Sequence, residues 1–175
     1  MTVELYTVAP AKLSDADAWT IRGLRRRYHP GEEGFIGPHI TLLFGWSGLK
    51  PDAYIRHVQE LAQSFKPFLV TLTEAVAPIE QEIHKNYVYL TAPGSDAQLR
   101  TMHAALYGGP MAPALKRDLE YVPHMTVGCL HDRQSAAELA ETLNSKGVKI
   151  DVPIDGLEVY AKTDRGYRLL KEIAL

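Results

Sequence analysis

The 175-residue chain has one cysteine, Cys129, so no internal disulfide can staple its fold. No run approaches the roughly 18 consecutive apolar residues of a membrane-spanning helix. The opening Met1-Thr2-Val3-Glu4 lacks the basic and then apolar pattern of a secretion signal. A basic excess is missing too: 19 Lys and Arg stand against 21 Asp and Glu, for a net charge of -2. That argues against a large nonspecific nucleic-acid surface, and leaves room for a small phosphate-bearing substrate held by a few local donors. There is no phosphate loop, since Gly108-Gly109-Pro110 and the stretch from Gly31 to Gly37 lack the G-x-x-x-x-G-K-[ST] pattern, and no dinucleotide fingerprint. ATP-dependent ligation is therefore unsupported. His29, His57, His84, His103 and His131 do not pair with Cys or acids at metal-ligand spacing, so no metal and no cofactor is expected. The expectation is a soluble, cytoplasmic protein without a membrane partner, forming one compact unit or two small lobes with a shared interface. Oligomeric state leaves no mark on the sequence.

What the chain does have, it has twice. Pro38-His39-Ile40-Thr41-Leu42 returns as Pro123-His124-Met125-Thr126-Val127, with the histidines 85 positions apart (124 minus 39). A proline at the start of a strand leaves no ladder bond unmade. The apolar residues behind it alternate at period two, which reads as a strand. On such a strand His39 and Thr41 share one face, while Ile40, Leu42 and Phe44 take the other. The same alternation sets His124 and Thr126 against Met125, Val127 and Cys129, and makes Cys129 a small buried strand residue.

The neighbouring elements repeat as well. Strand, helix, histidine strand, helix, strand runs from Val3 to Thr73, and again from Asn86 to Val159. The first helix follows a capping box at Ser14-Asp15-Ala16-Asp17 and carries its stripe on Ala18, Ile21, Leu24 and Tyr28. The second begins at Pro51. The third follows a second box at Ser95-Asp96-Ala97-Gln98. The fourth is capped by Asp132 and stopped by Gly147. Gly45 to Gly48 reads as a turn, Met111 to Glu120 as a loop, and Tyr167 to Ile173 as a closing strand. The alternation of strands and helices does not by itself fix parallel or antiparallel pairing, but sheets covered by helices on one face, with the other face lining a groove, satisfy the histidine strands best. The repeats are about 3–75 and 86–159, and the closing strand is about 167–173. A doubly wound parallel sheet would bury both strand faces and leave the histidines without an outlet.

If the two histidine strands face each other, two imidazoles and two hydroxyls converge. Imidazole titrates near neutrality, so one ring can take a proton while a second gives one up. That is the requirement for cleaving a phosphodiester without a metal. Threonine hydroxyls two residues beyond each histidine can donate to non-bridging phosphoryl oxygens. A lone H-x-T in a strand is weak grounds for catalysis; its duplication in matching strands is far stronger.

The two motifs, His39-Ile40-Thr41-Leu42 and His124-Met125-Thr126-Val127, resemble the paired H-x-[ST]-φ signature of the 2H phosphoesterases, which include 2'-5' RNA ligase-like proteins and cyclic phosphodiesterases. The resemblance covers essentially the whole chain. It implies an α+β fold, one bilobal domain of two duplicated lobes, each an antiparallel sheet with flanking helices, related by a pseudo-twofold axis with the active groove between them. It also implies metal-independent action on 2',3'-cyclic phosphates, 2'-5' linkages or cyclic phosphates of ADP-ribose. The partner it implies is a small nucleotide or RNA terminus. It makes His39 and His124 the acid–base pair and Thr41 and Thr126 the phosphate binders, with the roles of the histidines exchanging with reaction direction. The alternatives are reversible 2'-5' cleavage and joining, a nucleotide or RNA-end binding module without turnover, and a scaffold in which the motifs only hold the lobes together.

Other residues each carry two readings. Phe35 and Tyr121, just before the motifs, either stack on a base or ribose at the groove mouth or simply pack. Lys116 and Arg117 either reach a second phosphate or lie in a solvated loop. Arg22, Arg25, Arg26 and Arg27 read as a charged helix face. Lys85, Tyr87 and Tyr89 lie on a strand bordering the groove. Lys162 and Arg165 fall in a hairpin-like turn.

Overall fold

The computed structural model describes residues 3–31, 36–79 and 85–175. The chain runs β1 (Leu5–Pro10), α1 (Asp15–Tyr28), β2 (His39–Trp46), α2 (Pro51–Ala62), β3 (Phe68–Leu72), β4 (Glu74–Val76) and β5 (Asn86–Thr91). It continues through α3 (Ala97–Leu106), a 3-10 helix (Gly109–Ala114), β6 (His124–Leu130), α4 (Arg133–Ser145), β7 (Ile150–Ile154), β8 (Gly156–Thr163) and β9 (Gly166–Ala174).

Local chemistry sets most of the ends. The Asp17 N–H donates to Ser14 Oγ at 3.2 Å and caps α1. Pro51 occupies the first turn of α2, where its missing N–H breaks no helical bond. Asp132 Oδ1 accepts from the Ser135 N–H at 2.7 Å and caps α4. Gly147, at φ +69°, ends it. Three expectations need correction. Ser95 does not cap α3: its hydroxyl takes the Thr71 N–H at 3.0 Å and donates to the Thr71 carbonyl at 3.1 Å, and Asp96 at the helix start makes no side-chain capping bond. The backbone of a neighbouring strand, which offers both a donor and an acceptor, wins over the local amide. The turn expected at Gly45 starts only after Trp46, because β2 continues through that glycine. The loop after Gly108 begins with the 3-10 helix, which two prolines favour by fixing φ.

All strand pairs are antiparallel. One sheet has the order β2-β1-β8-β9. A three-stranded sheet has the order β4-β5-β6, and β3 and β7 form a separate two-stranded sheet. The order β6-β5-β4 parallels β2-β1-β8, with a histidine strand first and its repeat's opening strand second. In both, the histidine strand lies at the sheet edge, and β2 and β6 approach one another.

The helices cross between the halves. α1, from the first repeat, packs against β6; α3, from the second, packs against β2. α4 covers β4, β5 and β6, and α2 packs with α3 and β9. The apolar side of each sheet is closed by one helix of its own repeat and one from the other. Ile40, Leu42, Leu43, Met125 and Val127 are all fully buried there. Each such side chain contributes about 1.5–3 kcal/mol by leaving water. No described helix is long and apolar enough to cross a membrane.

Candidate active site

The two histidine strands share a burial pattern. In each, the histidine and threonine are part-exposed, the residue between them is buried, and the next two residues are both buried. Two consecutive buried residues break a period-two alternation, and the pairing explains them. Val8 pairs with Thr41 and Thr7 with Leu43, leaving Leu42 extra; Tyr89 pairs with Thr126 and Val88 with Gly128, leaving Val127 extra. Both strands bulge three residues after the histidine. A bulge turns everything beyond it to the opposite face. Phe44 is therefore 42% exposed instead of facing the core, and Cys129 is part-exposed where burial was expected.

Each imidazole is pinned in the same way. His39 Nδ1–H donates to the Gly37 carbonyl at 2.7 Å, and His124 Nδ1–H to the Val122 carbonyl at 2.7 Å. A carbonyl can only accept, so the proton sits on Nδ1 and Nε2 is the nitrogen left for chemistry. Desolvation lowers the His39 pKa from 6.5 to about 4, against the opposing pull of the Gly37 carbonyl; Arg25, His124 and His29 add smaller depressions. The mutual influence of His39 and His124 is a consequence of the meeting of β2 and β6. His39 is accordingly neutral at pH 7, with its Nε2 lone pair available.

The surroundings differ between the two rings. His124 stacks on Tyr89, ring centroids 3.8 Å apart, and the stack continues to Tyr87 at 5.7 Å and edge-on to His29 at 6.0 Å. On the other strand, the Tyr121 hydroxyl donates to the Thr41 carbonyl at 2.8 Å, and His103 Nδ1–H to the Leu42 carbonyl at 2.8 Å. The Phe44 N–H donates to the Tyr107 hydroxyl at 3.1 Å. These side chains satisfy edge-strand groups around the bulge. Burial raises the Tyr121 pKa, which keeps its hydroxyl a donor. The Tyr121 ring lies flat on His103, centroids 3.6 Å apart and 4° from parallel, so one of its faces is already used.

Comparison with known proteins bears on the origin of this paired arrangement. A family model described as the 2'-5' RNA ligase superfamily matches residues 12–166. The chain belongs to the 2'-5' RNA ligase superfamily of 2H phosphoesterases. Among solved structures of similar fold, Escherichia coli LigT complexed with NADP+ is 18% identical, with a TM-score of 0.60, covering 99% of this chain and 98% of that one. LigT complexed with 3'-AMP gives 18% identity and a TM-score of 0.58 over the same shares. Kluyveromyces marxianus Usb1, at 9% identity, covers 99% of this chain and 98% of its own, with a TM-score of 0.61. No curated protein matches the chain.

Within this superfamily member, the structure brings His39, Thr41, His124 and Thr126 onto adjoining edge strands, and it places Tyr121 against the first of them. Lys116 and Arg117 are exposed in the segment between the 3-10 helix and β6. Phe35 and His84 lie outside the described residues. Lys162 pairs with Glu4 at 3.2 Å. The sequence reading missed three residues around the site. Arg25 is no part of a solvated face: it is 2% exposed, and its guanidinium donates to the Ile36 carbonyl at 2.7 Å and the Gly37 carbonyl at 3.4 Å. Its place four residues after Ile21, within the apolar stripe, was the available signal. His103 likewise sits inside the Leu99, Met102, Leu106 stripe. Arg100 had no such mark.

Proposed function

We propose that this chain is a metal-independent phosphodiesterase that opens 2',3'-cyclic phosphates, or cleaves related phosphodiesters, on a small nucleotide or RNA end. The groove between the two sheets of one bilobal unit is its active site. The observation that carries this reading is the matched anchoring of two imidazoles, each tied through Nδ1 to the carbonyl two residues upstream at 2.7 Å, on edge strands that approach one another. Complexes of LigT with 3'-AMP and NADP+ support a ligand of nucleotide size.

In the hydrolytic direction neutral His39 takes a proton from water through Nε2. The water oxygen attacks phosphorus, and one ribose oxygen leaves with a proton from His124. Tyr89, stacked on His124, presents a ring face that favours an imidazolium. Thr41 and Thr126 donate to the non-bridging oxygens as charge builds on them. Proton transfer by a positioned group contributes about 10²–10⁴-fold. With a sugar hydroxyl in place of water, the same steps join a 2'-5' bond without ATP, and their reverse cleaves that bond to a cyclic phosphate.

A panel of 2',3'-cyclic mononucleotides, ADP-ribose cyclic phosphate and 2'-5' dinucleotides, assayed with EDTA present, tests the proposal. Turnover of at least one substrate should fall at least about a hundredfold in His39→Ala and in His124→Ala while both variants stay folded. Tight binding of these ligands without turnover would overturn catalysis in favour of a sensor. Unfolding of both variants would favour a scaffold.

A further inference from the structure

The tripeptides leading into the two histidines, Ile36-Gly37-Pro38 and Tyr121-Val122-Pro123, are held alike. The middle carbonyl of each accepts the imidazole Nδ1–H. The first carbonyl of each accepts from a guanidinium: Arg25 Nη2 donates to Ile36 at 2.7 Å, and Arg100 Nη1 to Tyr121 at 2.5 Å. Arg25 also reaches the Gly37 carbonyl, the one that fixes His39. Arg25 rises from α1 and Arg100 from α3, and these are the helices that cross. The contact of α1 with β6 is close, since a Cβ on Gly128 would lie 3.1 Å from Tyr28 Cβ. α3 grips β2 through His103 and Tyr107. Arg25 therefore ties the peptide before His39 to a helix seated on the His124 strand. Arg100 ties the peptide before His124 to a helix seated on the His39 strand.

We infer that Arg25 and Arg100 are positioning residues, a reciprocal pair of braces that set the spacing between the two imidazoles. This rests on the two-histidine phosphodiesterase reading. The tripeptides precede the first residues of β2 and β6, and their prolines have no N–H to bond. A guanidinium is a rigid planar fork, so it fixes direction as well as distance. Reacting groups displaced by about 1 Å lose on the order of 10²-fold in rate. Arg25 is the stiffer brace, because Arg100 has a 41% exposed side chain that it also shares with Asp96 at 2.7 Å.

The test uses the full chain carrying Arg25→Met, Arg100→Met, both together, and Arg100→Lys. On a cyclic phosphate that the wild type turns over, kcat should fall about 10²-fold for Arg25→Met and about tenfold for Arg100→Met, with KM little changed. Arg100→Lys should recover only part of the loss, since its ammonium can still reach the carbonyl but does not fix its direction. The double variant should lose less than the product of the singles, because both braces act on one coordinate. Imidazole ¹⁵N spectra of the unliganded protein give a readout without turnover. His39 and His124 should be Nδ1–H tautomers in the wild type, and the histidine next to the removed brace should become a tautomer mixture. Unchanged kcat and unchanged imidazole spectra in a folded variant would overturn the inference, as would a multiplicative double variant. A wild type inactive on every substrate would sink the phosphodiesterase reading, and the spectra would still decide the braces. If Arg25→Met fails to fold, the more exposed Arg100 variants carry the test alone.

Discussion

Replacing His39 by Asn should flatten the acid side of the protein's stability profile. The Asn amide can keep a donor for the Gly37 carbonyl, at 2.7 Å from the native ring nitrogen, but it cannot titrate. The unfolded imidazole titrates near 6.5, and the folded one is lowered to about 4, first by desolvation. Between those values the unfolded chain binds more protons than the native protein. The stability associated with neutral His39 is therefore complete above about pH 6.5 and lost progressively as pH falls through about 4. At one decade per 1.36 kcal/mol, the ceiling is about 3 kcal/mol. The ring keeps part of its surface in water, and solvent screening brings the expected loss to about 1–2 kcal/mol. Urea unfolding at pH 7 and at pH 4 measures this in both proteins, and carboxylate terms common to both cancel in the difference. The wild type should lose about 1–2 kcal/mol more than His39→Asn. Parallel losses would refute the claim that His39 is held neutral by its surroundings.

Tyr121→Phe removes the hydroxyl that donates to Thr41 at 2.8 Å, and should cost about 1 kcal/mol, read as a melting temperature about 2–4 °C lower. Gly128→Ala puts a methyl 3.1 Å from Tyr28 Cβ and 3.4 Å from Leu139, so it should push α1 off β6 and cost about 1–3 kcal/mol by urea unfolding.

The histidine strands and the caps at Ser14 and Asp132 were legible because each rests on local chemistry or on a period. The bulges were not. An alternation count assumes one residue per place, and one extra residue at Leu42 or Val127 reverses every assignment after it, as Phe44 and Cys129 record. Arg25 was misread because three other arginines surround it and composition drowned the stripe position. Ser95 was misread because a capping pattern cannot see Thr71, 24 residues away, which offers the hydroxyl a better partner. The crossing of α1 and α3 has no local signature at all. It is a property of how two amphipathic halves trade covers.

That trade has a consequence for the protein's ancestry and for anyone who would cut it in two. Either repeat expressed alone would lose part of the cover over the greasy underside of its own histidine strand, since one of the shielding helices belongs to the other repeat. Separate fragments would have to find each other, at a rate set by concentration, before either could form a stable surface. Joining them in one polypeptide replaces that encounter with a permanent neighbour.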